Sequence, residues 1–122
     1  MKITKKQVDS IIREAQDRLS INDWQIEWEY GTCEYEADIY FRYTEKYARV
    51  TVDKSKITDE QNLRRSIYHE LVHPLFGIIE RGLDDFVVTF IKDKKTRDLF
   101  WERLNTDQNI LIDHLVAQVL KI

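Results

Sequence analysis

His69-Glu70-Leu71-Val72-His73 is the stretch of this chain best suited to chemistry. On a helix, residues four apart lie on nearly the same face, one turn above the other, so His69 and His73 can present two imidazoles to one ion. Zinc accepts such nitrogens at roughly 2.0–2.1 Å. Glu70 lies about 100° around the helix from His69. It is near enough to reach a water polarised by the metal without being a ligand itself. Zinc can lower the pKa of such a water to roughly 7. A neighbouring carboxylate can then take up its proton and hand it to a leaving group. Five residues thus supply two ligands and a base.

That reading requires a helix, and the flanking sequence predicts one. Thr58-x-x-Gln61 has the capping-box form, and Asp59 and Glu60 suit the positive end of a helix dipole. Leu63, Ile67, Leu71 and Val72 follow as a buried stripe. Pro74 cannot donate to the carbonyl of Glu70, so the helix must kink or stop there.

Upstream, Thr4-x-x-Gln7 is another capping box. It opens a helix over about residues 5–19, with Val8, Ile11, Ile12, Ala15 and Leu19 on one face. Three strand-like runs follow. Trp24 to Tyr30 alternates strictly, with Trp24, Ile26, Trp28 and Tyr30 on one side, and Gly31 ends it. The second run covers about 35–43 and the third covers 48–53. Their short connections suggest an antiparallel meander. Downstream of the motif, 83–91 reads as a strand or lid segment. Helices are expected over about 94–104 and 107–121, the last with Leu111, Ile112, Leu115, Val119 and Leu120 on its apolar side.

The 122 residues make one domain, 1–122, without repeat, low-complexity stretch or linker. Hydrophobic residues at 43% beside charged residues at 34% exclude a disordered chain and permit a buried core. No apolar run approaches the roughly 18 residues of a membrane span, and no leader-like apolar segment follows the basic start. No membrane role is expected. A net charge of −3 makes a poor general nucleic-acid binder, because that affinity comes largely from neutralising phosphates. The local run Lys92, Lys94, Lys95 and Arg97 reads as a solvated loop or helix start. Cys33, the single cysteine, forms no internal disulfide and no thiolate cluster. A reduced, cytoplasmic setting and a lone thiol without a role follow. Tyr35, Tyr40, Phe41, Tyr43 and Tyr47 read mostly as a sheet face packed on the core, with a substrate groove as the alternative. His114 reads as an exposed or half-buried helix residue.

Through His69, Glu70 and His73, and through the order of its elements, the chain resembles the zincin metallopeptidases. More narrowly, it is similar to the small zincin-like peptidases of bacteriophages and prophages. The resemblance implies an α+β minimal zincin-like fold: an N-terminal helix, a short, mostly antiparallel three-stranded sheet, the H-E-x-x-H helix and C-terminal helices. It implies Zn2+ on His69 and His73, with Glu70 as general base and acid. The partner would be an intracellular protein or peptide substrate, its extended chain paired with the strand at 48–53.

Such families take a third ligand, often Glu, from the start of a downstream helix. Here the aligned position is Asn109, preceded by Gln108. Asp107 is the nearest carboxylate, as ligand or as helix N-cap. Glu80 is the other candidate, if the chain folds back at Pro74 or Gly77. Glu102 and His114 rank below both. Ile79 occupies the place of the third histidine of a metzincin, which excludes that branch. The leading expectation is a zinc metallopeptidase. Its rival is a catalytically inactive zincin-like protein that binds a host or phage regulator. A third reading, a peptidase acting on DNA-bound proteins, would need a basic patch that the net charge argues against.

Overall fold

Thr4 starts the first helix as its side chain pattern requires. Its hydroxyl accepts from the Gln7 backbone at 3.2 Å, and its own N–H donates to the Gln7 side chain at 2.8 Å. Helix α1 then runs over Lys5–Arg18, burying Val8, Ile11, Ile12 and Ala15. The computed structural model describes residues 2–121, with Ile78 by its backbone alone. The chain falls into two compact units, Met1–Pro74 and Leu75–Ile122.

In the first unit, β1 (Gln25–Tyr30), β2 (Ala37–Arg42) and β3 (Tyr47–Val52) form one sheet in the order β1-β3-β2. The meander is corrected. β1 pairs with β3 in parallel, β2 pairs with β3 antiparallel, and the sheet is mixed. Side-chain alternation decides which face of a strand is buried but not which strand is its neighbour. Burial separates them here. Ala48, Val50 and Val52 of central β3 are fully buried, whereas the inward residues of β1 are half-buried. Small residues on β3 sit between larger ones in register, with Ala48 between Ile26 and Phe41 and Val50 between Trp28 and Ile39. Helix α1 reaches the sheet through Asp9, which accepts from the Trp28 indole at 2.6 Å.

The same order corrects the substrate strand. With β1 and β2 hydrogen-bonded on its two sides, β3 has no free edge for another chain. Of the aromatic set, Tyr35 and Tyr40 are exposed, while Phe41, Tyr43 and Tyr47 are half-buried.

Two residues fix the ends of the strands. The Gly31 N–H donates to Val52 at 3.0 Å, and a Cβ there would lie 2.7 Å from Thr51 Cγ2, so the close approach requires glycine. Asp53 is buried and accepts from Cys33 N at 3.0 Å, Ser55 N at 3.1 Å and Ser55 Oγ at 2.6 Å. Lys56 donates to the carbonyls of Cys33 and Glu34. The loop after β1 is thereby tied to the turn after β3.

Helix α2 spans Glu60–Val72, starting one residue later than the Thr58 cap predicts. Asp59 is the N-cap, accepting from Asn62 N at 2.7 Å, while Asn62 Oδ1 accepts from Thr58 N at 3.1 Å. The reciprocal logic holds, with a carboxylate favoured at the positive helix end. Leu63, Ile67, Leu71 and Val72 are buried as predicted, and Tyr68 joins them. Helix α2 packs against α1 and β2.

The second unit is helical. Helix α3 (Gly77–Phe90) replaces the strand or lid expected over 83–91, and α4 (Lys94–Leu120) replaces two helices with one. The β-branched content near Val87-Val88-Thr89 is a weak preference that helical context overrides. The break expected before residue 107 is absent, and the polar side chains around it bond back onto the continuous helix. Thr106 Oγ1 donates to Glu102 O at 3.0 Å and Asn109 Nδ2 to Asn105 O at 3.0 Å. Asp93 is the true N-cap, accepting from Thr96 N at 3.0 Å. Among the described residues, no helix is long and apolar enough to cross a membrane.

Candidate metal centre

The histidine pair straddles the end of α2. His69 lies in its last turn, and His73 caps it with helical angles, φ −50° and ψ −47°. Pro74 has no N–H for the carbonyl of Glu70. The His73 N–H donates to that carbonyl instead, and the chain tightens into a 3-10 turn at His73–Phe76. The predicted stop at Pro74 is therefore also what sets the backbone of His73. Leu71, buried on the opposite side, and Val72, buried on the flank, fix the rotation of the helix and leave His69, Glu70 and His73 half-buried.

The imidazoles converge. His69 Nε2 and His73 Nε2 are 3.3 Å apart, and the rings meet at 66° with centroids 5.1 Å apart. Two corners of a tetrahedron drawn at zinc–nitrogen distances of roughly 2.0–2.1 Å are separated by roughly 3.3–3.4 Å. The pair therefore has the spacing that two ligands of one zinc ion need. At this distance one ring nitrogen can also donate to the other, with the tautomer setting the direction.

The remaining candidates lie in the second unit and are engaged there. Asp107 is inside α4, not at a helix start, and Arg103 Nε donates to it at 3.2 Å. This corrects its reading as an N-cap. Glu80, on α3, accepts from Gln108 Nε2 at 2.9 Å, and Gln108 is buried. Asn109 is half-buried, while Glu102 and His114 are exposed. Among the described residues, no group of three or more His, Cys, Asp or Glu side chains is gathered for a metal ion.

Cys33 lies near enough to the motif for the Glu70 charge to act on it. Burial pushes its thiol up, and the carboxylates of Asp38, Asp53 and Glu70 add to that while Lys56 opposes it. A raised pKa keeps the sulfur protonated at neutral pH, which makes it a poor ligand and nucleophile. Asp53 is the supporting residue that strand alternation concealed. Its signal was Asp53-Lys54-Ser55, an Asx-turn pattern directly after a strand.

In comparisons with known proteins, no family model matches the chain and no curated protein matches it.

Proposed function

We propose that the chain is a zinc-dependent metallopeptidase of the minimal zincin type, the fold and activity that its motif resembles. The observation that carries this reading is the 3.3 Å convergence of His69 Nε2 and His73 Nε2 on a capped helix with Glu70 beside His69. Bound there, Zn2+ would supply Lewis acidity, activating water and polarising the scissile carbonyl. His69 and His73 would hold the ion. Glu70 takes the proton of the attacking water and returns it to the leaving amine. β2, an edge strand packed against α2, offers its free side to the main chain of an extended substrate. The substrate on this reading is a cytoplasmic protein or peptide, and the gene is that of a phage or mobile element. The test is Glu70→Gln, which should keep zinc and lose cleavage.

A second reading is a zincin-like protein without turnover that binds a host or phage regulator. It is favoured by the third-ligand candidates. Asn109 stands where the family places a carboxylate, while Asp107 and Glu80 hold Arg103 and Gln108. Two histidines alone make a weak zinc site. Failure to retain zinc would favour this reading.

A further inference from the structure

We draw no further inference here: the strongest candidate, the exposed apolar stripe of Ile79, Phe86 and Phe90 along α3 in the second unit, carries nothing because nothing in the structure shows what covers it.

Discussion

His69 Nε2 stands 3.3 Å from His73 Nε2. A single hydrogen bond between the two rings has this length, and so does the separation of two ligands of one tetrahedral ion. The spacing follows from backbone features rather than from the side chains alone. Asp59 starts the helix, the Leu63-Ile67-Leu71 stripe fixes its rotation, and Pro74 turns the chain at His73.

Glu70 is the residue whose removal separates binding from chemistry. Glu70→Gln preserves size and one acceptor oxygen but cannot accept a proton. Cleavage of a protein substrate should fall by about 10²–10⁴-fold, the usual contribution of a positioned acid–base group, while bound zinc stays at the wild-type level. Equal rates for variant and wild type would remove Glu70 from the mechanism.

The motif and most of its setting were legible in the sequence. The α1 capping box, the buried stripes of α1 and α2 and the stop at Pro74 are local patterns that appear where the spacing puts them, except that Leu19 is the half-buried C-cap of α1 rather than part of its stripe. What was not legible depends on non-local pairing. The alternation of 24–30 and 48–53 says nothing about β3 lying between β1 and β2. Nor does it reveal that the strand expected to receive substrate has no free edge. In the second unit, Asp107 is of a type common at helix starts, but it lies inside α4, where Arg103 four residues earlier pairs with it. The third ligand that the resemblance implies is the least legible, because such a ligand would come from a distant part of the chain and no local spacing marks it.

Asp53 ties the loop after β1 to the turn after β3, and its loss should be felt across the first unit. The hydroxyl and N–H of Ser55 and the N–H of Cys33 hold its carboxyl below the usual range. A depressed folded-state pKa means that this stabilisation is present above the unfolded value of 3.8 and is lost as pH falls through the lower folded value. Asp53→Asn should therefore lower the urea midpoint at pH 7, and its deficit against wild type should shrink on acidification below pH 3.8. A deficit independent of pH would mean that the charge is not what holds the loop.

Gly31→Ala should destabilise by about 1–3 kcal/mol, the cost of forcing an extra carbon into a filled space. The carbon would lie 2.7 Å from Thr51 Cγ2, on a β-branched side chain with little room to rotate. Thr51→Ser removes that methyl, so the double variant should recover much of the loss. Strictly additive effects in a urea-denaturation cycle would place the strain elsewhere.

Tyr68 carries a buried hydroxyl that, among the described residues, no group meets in full hydrogen-bonding geometry, although Glu14 and Arg18 lie near enough to act on it. Burial pushes its ionisation up to about 12, and the nearby Glu14 carboxylate adds to the shift. A raised folded-state pKa means that the stabilisation is complete below the unfolded value of 10 and is lost as pH rises towards 12. Tyr68→Phe should match or exceed wild-type stability at pH 7, since it removes an unsatisfied polar group. It should also decline less steeply above pH 10. A loss of more than about 2 kcal/mol at pH 7 would reveal a hydrogen bond worth that much.

Zinc content bears most directly on the central claim. It would be measured in purified, untagged protein by elemental analysis after dialysis, for wild type and for His73→Ala with its helicity checked by circular dichroism. The account predicts one equivalent of zinc in wild type and none in a folded His73→Ala variant. A wild-type protein that takes up no zinc even when the metal is supplied would contradict it, and the His69–His73 pair would then be a hydrogen bond at a helix end rather than a metal centre.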